Sequence, residues 1–258
     1  MRLSVIIPAH NEEGSITETV KPLITTLSAE AIDHEVLVVN DGSTDQTEAV
    51  LHNLQAIYPT LHYVNNQGPS GFGFAVRKGL DYYTGDAVAI FMGDGSDSPQ
   101  DVARCLRKLQ EGYDCVFGSR FIKGSQIIDY PPHKLVLNRL ANLFVRTLFN
   151  LGYNDTTNAF KLYRREVIEG SQPLISKHFN LTVELPLKAI IRGYSYAVIP
   201  ISWTNRTSGI SKLKIREMGS RYLFIVLYLF LEKHLSQGDY HRVTFVDEGR
   251  ALASRNEK

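Results

Sequence analysis

Asp94 stands between Gly93 and Gly95, with Asp97 close behind. Carboxylate oxygens in so tight a turn suit Mg2+ or Mn2+, which can bridge a diphosphate and neutralise the charge that develops on it. The same residues could instead cap a helix beginning at Pro99. Asp41, next to Gly42, can accept hydrogen bonds from a base or ribose, or close an Asx turn. Glycines at 68, 71 and 73 allow close backbone approach and leave N–H groups at a helix start, where anions are favoured. A plain loop explains those glycines equally well.

Several chemistries are excluded. No GxxxxGK[ST] loop and no GxGxxG follows the first apolar run, which argues against P-loop nucleotidases and dinucleotide oxidoreductases. There is no GxSxG elbow, and the eight histidines show no HExxH spacing. His10 and His133 read as ordinary polar residues. A net charge of +1 over 258 residues gives no global field toward nucleic acid or anionic lipid, so a basic site must be local. Cys105 and Cys115 lack CxxC spacing and read as reduced core thiols, as in a cytoplasmic chain.

Positioning these residues falls to short β-branched runs alternating with amphipathic segments, the pattern of βαβ units and a mostly parallel, Rossmann-like sheet flanked by helices. Strands are expected at Leu3 to Ile7 (stopped by Pro8), Glu35 to Val39, Leu61 to Val64, Val88 to Met92 and Cys115 to Gly118. Helices are expected at Ser15 to Leu27, Thr44 to Leu54, Gly73 to Tyr82 and Pro99 to Leu109, with N-caps from Ser43 to Asp45 and Ser98 to Gln100. Right-handed crossovers then bring a polar cluster after each strand to one sheet edge, where ligands bind in such folds. Later come a helix at Leu135 to Phe149, a strand at Ala159 to Tyr163, a helix at Thr182 to Arg192 and a strand at Ser195 to Ile201. From Ser211 the chain is basic, then apolar, as in a helix lying on a membrane surface, or equally in one packed on its own domain or on a partner subunit. The apolar run from Tyr222 to Leu231 is shorter than the ~20 residues that span a bilayer. The expected organisation is a catalytic domain over 1–210, an amphipathic segment over 211–237 and a polar tail over 238–258.

The ordered blocks Val5-Ile6-Ile7-Pro8-Ala9-His10-Asn11-Glu12-Glu13, Val38-Val39-Asn40-Asp41-Gly42-Ser43-Thr44-Asp45, the glycine loop and the Asp94 cluster resemble a family 2 glycosyltransferase of the GT-A fold. Gly118-Ser119-Arg120-Phe121, the stretch Asp155 to Arg164, and Asn205 to Leu213 resemble its dolichol-phosphate mannosyltransferase branch. The resemblance implies inverting transfer of a hexose from a nucleoside diphosphate sugar to a polyprenyl phosphate, with Mg2+ or Mn2+, at the cytoplasmic face of a membrane. By position, Pro8, Ala9, Glu12 and Asp41 would hold the nucleoside, and Asp94 the metal and diphosphate. Ser119, Arg120, Lys134, Arg206 and Lys212 would meet donor or acceptor phosphates, with Asn138 near the acceptor phosphate. Met92-Gly93-Asp94 replaces the family's Asp-x-Asp, so metal binding would lean on Asp94, a donor phosphate and Ser96. A phosphate acceptor is already ionised, whereas a polysaccharide hydroxyl would need a general base, with Asp155 or Glu184 as candidates. An idle binding or scaffold protein is the reading from a different class. A homo-oligomer is compatible with the sequence, and a nucleic-acid partner is not expected.

Overall fold

The computed structural model describes residues 1–205 and 215–242. Its first half runs β1 (Leu3–Ala9), α1 (Ile16–Ala29), β2 (His34–Asn40), α2 (Thr47–Ile57), β3 (Leu61–Asn65), α3 (Phe72–Tyr82), β4 (Ala87–Ile90), α4 (Pro99–Gln110) and β5 (Cys115–Ser119). Then follow β6 (Gln126–Ile128), α5 (Pro132–Phe149), β7 (Lys161–Arg164), α6 (Arg165–Gly170), α7 (Leu181–Ile191), β8 (Tyr196–Pro200), β9 (Ser202–Thr204) and α8 (Ile215–Leu235).

Seven strands form one sheet in the order β3-β2-β1-β4-β7-β5-β8, and β6 pairs with β9 apart from it. All main-sheet strands run parallel except β7, which is antiparallel to β4 and β5. Side chains alternate across the sheet. Leu3, Val5 and Ile7 of β1 pack with α1, α2 and α4 on one face, while Ile6 packs with α3 and α7 on the other. Such two-sided burial is what makes the strands read as continuous apolar runs.

Pro8 does not stop β1. In register, Ile6 is opposite Ile90, and the Ile6 carbonyl accepts the Phe91 amide, so alternate residues of β1 face β4. Pro8 faces the same way two residues on, where β4 has already ended, and its missing N–H costs no ladder bond. The expected N-caps also differ. Gln46 precedes α2 with no side-chain cap bond, and Asp45 instead accepts the Thr47 amide at 3.0 Å. Ser98 does precede α4, but its hydroxyl donates to the Gln100 side chain at 2.9 Å.

The C-terminal segment packs on its own domain through one face. Ile225, Val226 and Leu229 of α8 join Val145 and Phe149 of α5 and Val183 and Leu187 of α7 in a third apolar cluster. A buried Arg192–Glu232 pair at 2.9 Å ties α8 to the end of α7. Among the described residues no helix is long and apolar enough to cross a membrane. Cys105 and Cys115 are both free and buried.

Candidate active site

The parallel strands β1 to β5 all end at the same sheet edge, so the polar clusters that follow them do meet. Asp41 is buried, and its Oδ1 accepts the Asn66 amide group (2.6 Å) while its Oδ2 accepts the Gly71 backbone N–H (2.7 Å). It therefore pins the loop after β2 to the glycine loop after β3. Its own N–H donates to the Ala9 carbonyl (2.8 Å), and His10 Nδ1 donates to the Asp41 carbonyl oxygen (2.7 Å). Because a carbonyl only accepts, that contact places the proton on Nδ1. Glu12 is held nearby: its N–H donates to Thr47 Oγ1 (2.8 Å), and its carboxylate accepts the Ser15 hydroxyl (2.7 Å). Pro8, Ala9, Glu12 and Asp41 thus line one end of the edge.

The glycine loop is not an open anion cradle. Gly71 spends its amide on Asp41, and the Phe74 amide, in the first turn of α3, donates to the Lys177 carbonyl (3.2 Å). Gly71 has φ +156°, and a Cβ there would lie 2.7 Å from both His178 Nδ1 and the Lys177 carbonyl oxygen; one on Gly73 would lie 2.6 Å from the Ser176 carbonyl oxygen. The 176–178 segment presses against the helix start, so close packing by protein accounts for these glycines.

Asp94 lies half-buried in the turn after β4, with Oδ1 accepting the Ser96 N–H at 3.1 Å. Ser96 itself is buried, and its carbonyl receives the Thr204 N–H. Asp97 is buried too, with Oδ2 accepting the Met92 N–H at 3.0 Å; burial, above all, raises its pKa to about 7. Met92 packs against the apolar cluster on the α3 side of the sheet. Among the described residues no group of three His, Cys, Asp or Glu side chains converges as a metal cage. One accessible carboxylate still fits Mg2+, which keeps several waters and is commonly held by one or two carboxylates plus substrate phosphates.

Arg120 follows β5 and is 7% exposed, and Asp155 opposite it is 0% exposed. Nε donates to Oδ2 (2.9 Å), Nη2 to Oδ1 (2.7 Å), and the Arg120 backbone N–H also reaches Oδ2 (2.9 Å). Burial pushes the guanidinium pKa down, but the charge and hydrogen bonds of Asp155 outweigh it, and the net shift is upward. Phe121, Tyr130 and Trp203 surround the guanidinium, with ring centroids 5.3, 5.6 and 5.9 Å away. Trp203 also bridges to Asp97, which links the Arg120 and Asp94 neighbourhoods. Tyr130 and Trp203 were not among the expected site residues, although Trp203 is the single tryptophan of the chain.

Several expected roles change here. Ser119 is fully buried, its hydroxyl donating to Asn154 Oδ1 (2.7 Å) and accepting the Phe121 N–H (3.1 Å), so it shapes the loop instead of reaching a phosphate. Asp155, with both oxygens on Arg120, positions that cation and is no free base. Glu184 is buried, accepts the Ile175 and Ser176 amides at 2.8 and 2.7 Å, and pairs with Lys188. It braces the segment behind α3. Asn138 donates to Thr157 Oγ1 (2.9 Å), joining α5 to the loop that carries Asp155. Lys134 sits half-buried in the first turn of α5. Arg206 and Lys212 lie outside the described residues.

With that geometry in view, the profile of Glycosyl transferase family 2 matches residues 4–171. The chain belongs to glycosyl transferase family 2. This family 2 glycosyltransferase is 34% identical over 219 residues to polyprenol monophosphomannose synthase of Mycolicibacterium smegmatis, covering 82% of this chain and 81% of that protein. It is 27% identical to dolichol-phosphate mannosyltransferase of Pyrococcus furiosus, over 83% of this chain but 60% of that protein. Among solved structures it resembles glucosyl-3-phosphoglycerate synthase from Mycobacterium tuberculosis, in complex with Mn2+, uridine diphosphate and phosphoglyceric acid. The TM-score is 0.64 at 22% identity, covering 90% of this chain and 78% of that one. That likeness establishes the GT-A architecture.

Beneath the Asp155 loop of this glycosyltransferase lies Lys161, 1% exposed, whose ammonium donates to the carbonyls of Thr156 (3.0 Å), Asn158 and Thr182 (3.2 Å). Burial lowers its pKa to about 7, against the raising influence of Asp155. Between that value and the ordinary lysine value of 10.5 the unfolded chain binds more protons than the native one, so stability should rise with pH across this window. In Lys161→Met that gain should be missing, and thermal melts of both proteins at pH 7 and at pH 9 to 10 should show the gap between them widening. A gap that stays constant with pH would mean the lysine keeps its proton throughout.

Proposed function

We propose that this glycosyltransferase moves a hexose, with inversion, from a nucleoside diphosphate sugar to a polyprenyl phosphate at the cytoplasmic surface of a membrane. The observation that carries the reading is the occupation of Asp155 and Glu184. These were the carboxylates placed to deprotonate a hydroxyl acceptor, and both are spent on protein partners. An ionised phosphate needs no base. Its oxygen attacks the anomeric carbon as the bond from that carbon to the diphosphate breaks, and the electron pair leaves with the nucleoside diphosphate. The names of the relatives support the same acceptor and favour mannose as the sugar.

Each residue has a part in that displacement. Asp41, Glu12, Pro8 and Ala9 hold the nucleoside end of the donor. Asp94, with Ser96 beside it, would hold Mg2+ or Mn2+, whose chemistry when bound is to neutralise the leaving diphosphate. Arg120, fixed by Asp155 and walled by aromatic rings, presents a rigid positive charge to a phosphate; with Lys134 it draws two anionic reactants together, where orientation lowers the barrier. The Mn2+ in the solved relative supports the metal assignment.

The test is direct. Radiolabelled nucleotide sugars, tried as a panel with polyprenyl phosphate and Mg2+ or Mn2+, should place label in the lipid extract. Label appearing solely on a water-soluble hydroxyl acceptor would overturn the acceptor assignment.

A further inference from the structure

Glu184 and Lys188, both buried, pair at 2.9 Å one turn apart on α7. Taking two charges out of water is costly, and apolar side chains of similar volume could fill the same space. What the pair holds is the segment before the helix. Glu184 accepts the Ile175 and Ser176 amides, one on each oxygen, and the Lys188 ammonium donates to the Pro173 carbonyl. The backbone of 173–176 is thus gripped by its amides and by a carbonyl, and a buried network satisfied in this way fixes one geometry. The residues that follow form the wall against which α3 begins. They press on Gly71 and Gly73, the Lys177 carbonyl accepts the Phe74 amide, and Phe179 stacks on Phe72 with ring centroids 4.5 Å apart. Gly71 in turn gives its amide to Asp41 Oδ2 at 2.7 Å. A continuous run of contacts therefore leads from a buried charge pair on α7 to the carboxylate at the nucleoside end of the sheet edge.

We infer that Glu184 is a positioning residue for the donor: through the 173–179 strap it holds the start of α3 where the Gly71 amide meets Asp41, and so fixes that carboxylate to receive the nucleoside. The inference rests on the assignment of Asp41 to the donor and adds to it a residue that touches no substrate. Asn66 also donates to Asp41, on Oδ1, and that bond by itself leaves the carboxylate free to swing. With the strap loosened, the pocket must be reordered whenever a donor binds, and apparent affinity falls by the fraction of molecules already in order. The chemical step is spared, because Asp94 and Arg120 stand on the turns after β4 and β5, outside the route through Gly71.

Calorimetric titration of the full chain with a panel of nucleoside diphosphates in Mg2+, with no acceptor present, reads donor affinity apart from transfer. Glu184→Gln leaves one of the two strap amides facing an NH2 group that cannot accept it. It should weaken binding of whichever diphosphate the parent takes by about tenfold. In transfer assays with the matching sugar nucleotide, the loss should appear as a donor KM about tenfold higher with kcat within about twofold of the parent. Glu232→Gln is the control. It breaks the buried Arg192–Glu232 pair at the far end of α7, so it should lower the melting temperature and leave affinity and KM as they are. Gly73→Ala, with the Glu184–Lys188 pair intact, pushes the strap away from the helix start and should weaken binding in the same way. Combined with Glu184→Gln, its effect should fall well short of the product of the two, as for residues acting through one element. Parental affinity in Glu184→Gln, an equal loss in Glu232→Gln, a kcat that falls at unchanged KM, or single effects that multiply would each overturn the inference. Parental affinity in Gly73→Ala overturns it even if Glu184→Gln does not fold. A parent that binds no nucleoside diphosphate removes the donor reading itself, and the positioning role with it.

Discussion

Replacing Asp94 with asparagine should lower turnover by about two to three orders of magnitude while leaving the fold intact. Asparagine keeps a carbonyl oxygen for the Ser96 amide that Asp94 Oδ1 accepts, so the turn after β4 retains its hydrogen bond. What disappears is the formal charge that, in the proposed reaction, secures a divalent cation against the diphosphate. Metal stabilisation of a leaving group is worth several kcal/mol, and each ~1.4 kcal/mol is a factor of ten in rate. No neighbour is placed to substitute, because Met92 packs into the core and Asp97 is buried with one oxygen on the Met92 amide. Release of nucleoside diphosphate, measured across a series of Mg2+ and Mn2+ concentrations beside a thermal melt, checks the outcome. A variant with parental rate and parental metal response would remove Asp94 from the chemistry; a collapsed melting temperature would show that its role is to hold the turn.

The five strands and four intervening helices of the first half were legible because two-sided burial leaves a local signature: β-branched runs of strand length between amphipathic stretches. β7 was legible as a strand and not as an antiparallel insert. Its neighbours β4 and β5 precede it by many residues, and nothing in Lys161–Arg164 records which strands will part to admit it. The candidate site divides in the same way. Residue types at the ends of strands announced the edge, but the cross-links within it depend on reach through space. Asn66 touching Asp41, Asp155 gripping Arg120 and Lys177 covering the start of α3 join loops that lie far apart in the chain. The glycine loop stayed open between two readings for that reason: glycine permits close approach, and at Gly71 and Gly73 what approaches is protein. α5 shows the matching limit of periodicity, since spacing reveals a stripe without telling which side of it meets the protein. Glu184 likewise stood as a candidate base, and only its burial against Lys188 one helical turn on shows it paired.

Asp155→Ala should destabilise the protein by about 3–5 kcal/mol, because it strands a buried cation whose partner has gone. Arg120 has few ways to reach water: it is 7% exposed and walled by Phe121, Tyr130 and Trp203. Denaturant titration reads the loss directly. Activity should vanish with it, but that alone would not separate a positioning carboxylate from a general base. Asp155→Asn, which keeps the shape and gives up the charge, separates them by its pH–rate profile. A base would take the acidic limb of the profile away, whereas a positioning residue leaves the profile's form and lowers its height. The stronger test removes both charges together. Buried ion pairs replaced by apolar residues of similar volume are often neutral or stabilising, so Arg120→Met with Asp155→Leu should recover most of the stability lost in the single variant. If that protein is folded and still inert toward every acceptor, the pair persists for the phosphate it faces and not for the fold. If it regains transfer, the positive charge at position 120 has no part in the reaction, and the acceptor phosphate must be held by other groups.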